Sequence, residues 1–278
     1  RRRRGLRLMS AADTTTLLGR SPTSISSWGQ LSALTRRGVL NVIKSGEFIF
    51  SVVSPLFLAV CFYLPLHRVM ERQGIDYAQF LMPIIVLQSV GFAAGTSAMR
   101  ASMDLGTGID QRLRVLPINR AIPTLARMAT NVGLLTVSII FASLICLVIG
   151  WRPQGGLWGT ISLYALALAI GVIVSLLADG IGMMATSPQA TSQLTGLPMI
   201  ILGMCSTGFS TIERFPEWIR PFVRNQPISQ LATAMRSLDE GNASWYTIGP
   251  TVWWCLGLLA LGSLLLTLGI RKANKATR

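Results

Sequence analysis

Charged side chains are scarce in this sequence. They make up 13% of its 278 residues, whereas a soluble domain usually carries about 25%. Acids are the scarcest, because the chain has 11 Asp and Glu residues against 25 Lys and Arg residues. So few charges cannot cover the surface of a soluble protein of this length, and the composition therefore excludes that class.

Residues for catalysis and metal binding are also few. The chain has one histidine, His67, and no Gly-rich loop ending in Gly-Lys-Ser or Gly-Lys-Thr, the pattern that binds nucleotide phosphates. Four cysteines lie inside apolar runs without metal-ligand spacing, and we interpret them as packing residues: Cys61, Cys146, Cys205 and Cys255. We therefore predict no metal, no bound cofactor and no catalytic residue in this chain.

Charges are missing from long stretches, which is typical of helices that cross a membrane. Each stretch is close to the roughly 20 residues that a spanning helix needs. The apolar region 153–212 is about three such lengths, so we divide it at the turn-forming residues 186–189. A β-barrel would show alternating segments of about ten residues instead. The sequence predicts an all-α polytopic membrane protein with six spans, at about 48–66, 77–99, 128–150, 158–183, 190–210 and 249–270.

Basic residues are distributed unevenly between the two sides that six spans define. The N-terminal segment, the loop after the second span and the C-terminal tail together hold 18 Lys and Arg residues, and the other side holds seven. Basic loops stay in the cytoplasm, so both termini are predicted to be cytoplasmic. Lipid headgroups and membrane insertion then account for the net charge of +14, and we predict no nucleic-acid partner.

The chain divides into one membrane domain with two tails. We expect residues 1–26 to be a basic, disordered cytoplasmic tail, 27–272 to be the transmembrane domain and 273–278 to be a second cytoplasmic tail. No cleavable signal peptide is expected, because residues 1–46 contain no central apolar stretch.

The segment before the first span has amphipathic spacing. Apolar residues recur from Trp28 to Ile43 at roughly helical intervals, and Arg36, Arg37 and Lys44 lie between them. The pattern predicts that residues 27–46 form a helix in the cytoplasmic headgroup layer. A disordered arm is the alternative.

The loop after the second span, residues 100–127, is much longer than the two to eight residues usual between packed helices. It keeps Leu105, Ile109, Leu113 and Leu116 at spacings of four, four and three. A short helix with one such apolar stripe and arginines on another face fits a groove on a protein partner. An ordinary positively charged loop is the alternative.

The segment 211–248, on the opposite side, carries too many large apolar residues for an aqueous loop. Its prolines and anchoring side chains are Pro216, Trp218, Ile219, Pro221, Phe222 and Pro227. Pro216 can start a helix, and the aromatic residues belong at a membrane interface. We predict two short interfacial or re-entrant helices hinged at Pro227, the second covering 229–238 and ending at Gly241.

These segments together resemble the permease subunit of type-2 ABC exporters of the daunorubicin-resistance kind. In that family the loop after the second span reads Asp-Leu-x-x-Gly-x-x-x-Arg-x-Arg-x-Leu-Pro-x-x-Arg, matched here by Asp104, Leu105, Gly108, Arg112, Arg114, Leu116, Pro117 and Arg120. The family's outer segment is matched by Pro216, Trp218, Ile219, Pro221, Phe222, Gln226, Pro227, Ala234, Met235 and Arg236. The similarity covers about residues 27–272. Many relatives have a more acidic loop, whereas here only Asp104 and Asp110 stand among arginines.

The resemblance implies a non-catalytic transporter subunit whose energy comes from a separate ABC ATPase that uses ATP and Mg. It implies a coupling segment on that ATPase, formed by Asp104, Gly108, Asp110, Arg112, Leu113, Arg114, Leu116, Pro117 and Arg120. It also implies an extracellular gate, formed by Pro216, Trp218, Pro221, Phe222, Gln226, Pro227 and Arg236. A second permease, identical or paralogous, is expected to complete the path, with spans one, two and five nearest to it. The implied substrate is hydrophobic, a drug or a cell-envelope lipid, exported across a bacterial plasma membrane.

Two acids have unusual positions. Asp179 is the only acid well inside a predicted span, where a charge costs at least about 2.5–3.5 kcal/mol. We interpret it as a structural hydrogen-bond partner of another helix, and a substrate contact or a proton-sensitive site is the alternative. Glu47 begins the first span, where an acid favours a helix N-terminus, and a coupling role is the alternative.

Other classes of membrane protein fit the sequence less well. A membrane enzyme would need several acids, histidines or nucleophiles at membrane depth, and a channel would show rings of charge or a filter loop. The main alternative is an ATP-independent secondary transporter of a lipophilic compound. Such a transporter would show several intramembrane ionisable residues and two related halves, and the sequence shows neither.

Overall fold

The computed structural model describes residues 26–106, 122–185 and 187–275, and within these ranges the chain forms helices and turns without strands. The helices are α1 (Ser27–Lys44), α2 (Glu47–Glu71), α3 (Tyr77–Gly106), α4 (Ile122–Val148), α5 (Gly156–Met184), α6 (Pro188–Met204), α7 (Arg220–Asn225), α8 (Pro227–Asp239) and α9 (Trp245–Lys275). The predicted all-helical class is confirmed.

Five helices in the described ranges are long and apolar enough to cross a membrane. They are Glu47–Glu71, Tyr77–Asp104, Ile122–Val148, Gly156–Met184 and Trp245–Lys272. They correspond to the first four predicted spans and the sixth. Each begins or ends outside its predicted bounds, but Ile122–Val148 stops two residues before the predicted end at 150. Charged and polar residues at the span ends marked the edge of the apolar run, but they continue the helix, because a helical backbone satisfies its own hydrogen bonds there.

The fifth predicted span differs from the expectation. The helix divides where the turn chemistry indicated, and the Ser187 hydroxyl accepts a hydrogen bond of 3.2 Å from the Ala190 N–H. However, α6 ends at Met204 and not at residue 210, so it has 17 residues. At 1.5 Å per residue this helix is about 25 Å long, shorter than the roughly 30 Å of hydrocarbon.

A side chain from a later segment explains the early end of α6. The Gln226 Nε2 donates to the carbonyl oxygen of Leu202 at 3.0 Å and to that of Cys205 at 2.5 Å. The last carbonyls of a helix have no intrahelical partner, so this amide satisfies two of them and fixes where the helix stops.

Helix α3 lies at the centre of the bundle and packs against α2, α4, α5, α6 and α8. Helix α9 packs along α5 through glycines, which let two backbones approach closely. A Cβ added to Gly180 would lie 2.8 Å from the Leu265 Cβ, and one added to Gly262 would lie 2.9 Å from the Leu177 backbone nitrogen.

Helix α1 (Ser27–Lys44) covers nearly all of the segment 27–46, which the amphipathic spacing predicted to be helical. It packs on α4, and a Cβ added to Gly38 would lie 2.4 Å from the Thr130 Oγ1, so the two helices are in close contact there. Gly46, with φ of +78°, makes the turn from α1 into α2, a conformation that favours glycine. The position of α1 in a headgroup layer stays a prediction.

The segment 212–239, which we name the cap segment, consists of a 3₁₀ turn (Ile212–Arg214), α7 and α8. Pro227 is the first residue of α8, so the predicted hinge lies between two helices. The prediction that Pro216 starts a helix is wrong: its carbonyl accepts one hydrogen bond, from the Ile219 N–H, and α7 begins at Arg220. Helix α8 ends at Asp239, two residues before Gly241, which has φ of +72°.

Candidate functional site

A buried polar cluster joins the central helices at the end of the bundle where α3 ends and α4 begins. At its centre, Asp179 of α5 is 3% exposed and accepts hydrogen bonds from two other helices. Its Oδ1 accepts from the Ser97 Oγ of α3 at 2.5 Å, and its Oδ2 accepts from the Asn131 Nδ2 of α4 at 3.3 Å. The structural interpretation of Asp179 predicted such contacts, and a role in transport stays a prediction.

Asn131 is the residue through which the cluster branches. Its Nδ2 donates to the Ser97 Oγ at 3.1 Å as well as to Asp179, and its Oδ1 accepts from the Arg100 Nη2 at 2.7 Å. An amide has two N–H donors and an acceptor oxygen, so one side chain can serve all three partners.

An ion pair extends the cluster to α2. The Arg100 Nη1 contacts the Glu47 carboxylate, and the two side chains are 18% and 21% exposed. We name the set Glu47, Ser97, Arg100, Asn131 and Asp179 the inner polar network. It connects α2, α3, α4 and α5 by hydrogen bonds at one end of the bundle. Glu47 therefore does more than begin a helix.

A cavity of about 250 Å³ lies beside the inner polar network. Residues of five helices line it, including Arg37 and Asn41 of α1, Asp104 of α3, and Arg127 and Thr130 of α4. Its volume is below the roughly 300–1,000 Å³ of sites for drug-sized ligands. In this conformation the cavity is therefore too small for a drug, and it separates α1 from the charges of the network.

The predicted coupling residues lie almost entirely outside the described residues. Of the set, the structure describes Asp104, which is near the end of α3 and lines the cavity. The others fall in the range 107–121, and they are Gly108, Asp110, Arg112, Leu113, Arg114, Leu116, Pro117 and Arg120. Helices α3 and α4, which lead into and out of this range, both contribute to the inner polar network.

The predicted gate residues of the cap segment separate into exposed and buried sets. Trp218 is 81% exposed and Phe222 is 52% exposed, whereas Gln226 is 3% exposed. Pro221 lies in the first turn of α7 and Pro227 begins α8, so both have a local structural role. The exposed aromatic residues are available to an interface, while the buried amide ties the cap segment to α6.

Arg236 anchors α8 to the bundle. Its Nε and Nη2 donate to the Phe80 carbonyl oxygen at 3.1 and 2.9 Å, and Nη2 also donates to the Gly208 carbonyl oxygen at 3.0 Å. The guanidinium carbon lies 3.7 Å from the centre of the Phe80 ring. Burial lowers the pKa of Arg236 to about 10, so the side chain still carries its charge at neutral pH.

A second buried contact holds the same, C-terminal end of α8. The Trp151 Nε1 donates to the Asp239 Oδ2 at 2.8 Å, and both residues are buried. Burial raises the pKa of Asp239, and the hydrogen bond from Trp151 opposes that rise. Close packing adds to the attachment, since a Cβ on Gly155 would lie 2.4 Å from the Leu238 carbonyl oxygen.

Sequence reasoning did not find three members of the inner polar network. Ser97 and Asn131 are ordinary polar residues inside apolar runs, and Arg100 marked the edge of a span. The signal that was present is Asn131, an amide in the first turn of the predicted span 128–150. Polar residues at such positions usually face the bundle interior and bind one another.

The fold and the buried network together define a multi-pass helical membrane protein with a helical cap at one end. Residues 29–238 match the sequence profile of the family described as ABC-2 type transporter. The match covers more than half of the chain, so the protein belongs to this family.

Named relatives support the same assignment. The chain is 32% identical to the doxorubicin resistance ABC transporter permease protein DrrB of Mycobacterium tuberculosis (strain CDC 1551 / Oshkosh) over 255 residues, 86% of this chain and 88% of the relative. It is 24% identical to the daunorubicin resistance permease DrrB1 of Streptomyces coeruleorubidus over 77% of this chain and 76% of that protein. It is also 24% identical to the probable doxorubicin resistance permease DrrC of M. tuberculosis over 81% of this chain and 83% of that protein. The predicted resemblance is confirmed.

Proposed function

We propose that this chain is the permease subunit of an ATP-driven exporter that moves a hydrophobic substrate outward across a bacterial plasma membrane. A separate ATPase subunit, which binds ATP and Mg, supplies the energy. The observation that carries the proposal is the inner polar network, which links four helices at the end of the bundle where α3 ends and α4 begins.

The network supports a route from the ATPase to the helices. In this proposal the segment 104–120 is seated on the ATPase and moves with it. That movement displaces the end of α3, which carries Arg100, and the start of α4, which leads to Asn131. Since Arg100 contacts Glu47 and Asn131 contacts Asp179, α2 and α5 follow. Helix α1, which is packed on α4, is displaced with them.

The membrane topology of the proposal has six spans, with α6 as the short fifth span and both termini in the cytoplasm. The 18 basic residues on one side against seven on the other support this orientation. The cap segment then lies at the outer face, where the exposed Trp218 and Phe222 fit the interfacial layer and shape the exit.

We also propose that two permeases, identical or paralogous, face each other across the substrate path. Helix α6 supports this arrangement, because its exposed surface carries polar side chains at Gln189, Ser192 and Gln193 beside apolar ones at Leu197 and Ile201. Exposed polar groups at membrane depth are poorly solvated by lipid. A second subunit or an aqueous path would solvate them.

The proposed substrate class is hydrophobic, a lipophilic drug or a cell-envelope lipid. The names of these three relatives refer to doxorubicin or daunorubicin resistance, which supports a lipophilic substrate for this chain. The apolar residues of the spans tolerate many hydrophobic molecules, and the choice between the two kinds needs transport measurements.

The coupling proposal is tested by reversing charge in the loop. We expect Arg112→Glu combined with Arg114→Glu to lower both ATPase co-purification and substrate export, because the two arginines are the proposed ion-pair partners of the ATPase. The matched control is Lys275→Glu combined with Arg278→Glu in the C-terminal tail, which also changes two basic residues. Membrane levels of all variants are measured to show that the proteins fold.

Two results would contradict the proposal. Normal ATPase binding and normal export by the Arg112/Arg114 variant would remove the coupling assignment. Transport by the purified chain alone in liposomes, without any ATPase or ATP, would favour the secondary-transporter alternative.

A further inference from the structure

An open cleft of about 400 Å³ lies where the cap segment meets α3 and the chain that follows α6. Its polar lining consists of Thr207, Thr211, Glu213, Arg224, Thr233 and Arg236. The cleft is at the opposite end of the bundle from the inner polar network. Arg236 belongs to the predicted extracellular gate, but neither that gate nor the coupling segment assigns a bound ligand to the cleft.

Arg236 makes no ion pair within the described ranges, although the charge of Glu240 acts on it from a greater distance. Its hydrogen bonds go to the carbonyl oxygens of Phe80 and Gly208, and no carboxylate there lies within 4.0 Å of its guanidinium. Carbonyl oxygens carry only partial charge, so they compensate a desolvated cation incompletely. An anion in the cleft would complete the compensation.

Two further features of the lining favour an anion. Arg224 is exposed and lines the same cleft, so two arginines face one acid, Glu213. Thr207 also lines the cleft, and its Oγ1 is buried without a hydrogen-bond partner, so a rotation of this side chain is needed to bring the hydroxyl to a ligand. Guanidinium groups combined with a hydroxyl donor are a common arrangement for binding phosphate oxygens.

The surface beside the cleft is apolar, which favours a lipid over a free ion. Ile201 and Met204, at the end of α6, are 58% and 52% exposed and precede Thr207 by only a few residues. Phe222 of α7 is also exposed. We propose that the cleft binds the phosphate of a lipid headgroup through Arg224, Arg236 and Thr207, with the acyl chains along the exposed end of α6.

The proposal is tested by binding to the purified full-length chain in a non-ionic detergent. The probes are dihexanoyl phosphatidic acid, dihexanoylglycerol, which has the same chains without phosphate, and inorganic phosphate, all at constant ionic strength. The readout is the rise in unfolding temperature as each probe is titrated. We expect phosphatidic acid to raise the unfolding temperature at a lower concentration than inorganic phosphate, and dihexanoylglycerol to have little effect.

Variants locate the binding site. Arg224→Gln is expected to raise the half-saturating concentration of phosphatidic acid about tenfold, the effect of losing one charge-assisted hydrogen bond. Thr207→Val is expected to raise it by a smaller factor. Arg68→Gln is the matched control, because Arg68 is exposed and does not line the cleft.

The possible outcomes are distinguishable. Equal shifts from phosphatidic acid and dihexanoylglycerol, or an unchanged shift in Arg224→Gln, would overturn the site. An equal response to inorganic phosphate and phosphatidic acid would keep an anion site but overturn the lipid assignment. The assay uses neither ATPase nor transport, so its result is independent of the coupling experiment.

Discussion

Gly182 of α5 lies against the backbone of Ala98 in α3. A Cβ atom added to Gly182 would be 2.2 Å from the Ala98 carbonyl oxygen, and a backbone atom cannot move aside as the end of a side chain can. The contact is next to Ser97 in sequence and close to Asp179, which hydrogen-bond to each other. The glycine therefore allows the short distance between helices on which that hydrogen bond depends.

The first prediction tests this contact. Gly182→Ala should separate α3 from α5 and destabilise the protein by roughly 1–3 kcal/mol, the usual effect of overpacking. The measurement is the unfolding temperature in detergent. Gly133→Ala is the matched control, because a Cβ there meets nothing within 4 Å. Equal unfolding temperatures for the two variants would show that the α3–α5 spacing is not set at Gly182.

The second prediction concerns the branching residue of the inner polar network. Asn131→Leu keeps the side-chain size but removes the partners of Ser97, Arg100 and Asp179. A buried polar group left without a partner costs about 1–3 kcal/mol, so we expect a clear fall in unfolding temperature together with reduced export. Thr136→Val on the same helix is the control, because its hydroxyl is exposed and donates only to the Val132 carbonyl.

If Asn131→Leu were as stable as the control but inactive, the network would act in transport and not in folding. If it were both stable and active, the network would have neither role. Membrane levels are compared first, so that a loss of export is not confused with a loss of protein.

The long helices were predictable because charge is so scarce that each charged cluster marks the end of a span. The split before α6 was predictable for a different reason, since Ser187 and Pro188 are local helix-start signals. The end of α6 was not, because Gln226, which caps it, follows more than twenty residues later. Local pattern carries no information about such a partner.

The candidate site was also predictable only in part. Asp179 was identified because a lone acid in an apolar run stands out, but its partners Ser97 and Asn131 lie 82 and 48 residues away in sequence. Only the packing of α3, α4 and α5 brings them together. Arg236 was identified through the family motif, and the motif did not reveal that it binds backbone carbonyls under the cap segment.

The third prediction measures how much of the stabilisation by Glu47 and Arg100 comes from the ion pair between them. Glu47→Gln and Arg100→Gln should each destabilise the protein, because each leaves a partly buried charge unpaired. The double variant should be less destabilised than the sum of the two single variants, by about 0.5–3 kcal/mol. The measurement is a double-mutant cycle of unfolding free energies. Additive effects within error would mean that the two charges do not interact.

The same double variant tests the proposed transmission to α2. Glu47 is the network residue that belongs to α2, so removing the ion pair disconnects that helix while the Asn131–Asp179 contact remains. We expect export to fall more than ATPase binding does. Arg68→Gln, at the other end of α2, is the control. Unchanged export in the double variant would place transmission elsewhere.

The fourth prediction tests how the cap segment is held. Arg236→Lys keeps a positive charge, but an ammonium group cannot donate from two edges of a plane to the Phe80 and Gly208 carbonyls while lying flat on the Phe80 ring. We expect a loss of roughly 1.5–3 kcal/mol, the range for hydrogen bonds to a charged group, measured as a lower unfolding temperature. We also expect faster proteolysis of this variant, because a loosened cap segment is more accessible to a protease. Arg68→Lys, an exposed position, controls for the general effect of the substitution. If Arg236→Lys unfolded at the control's temperature, charge alone would hold α8 and the planar geometry of the guanidinium would be dispensable.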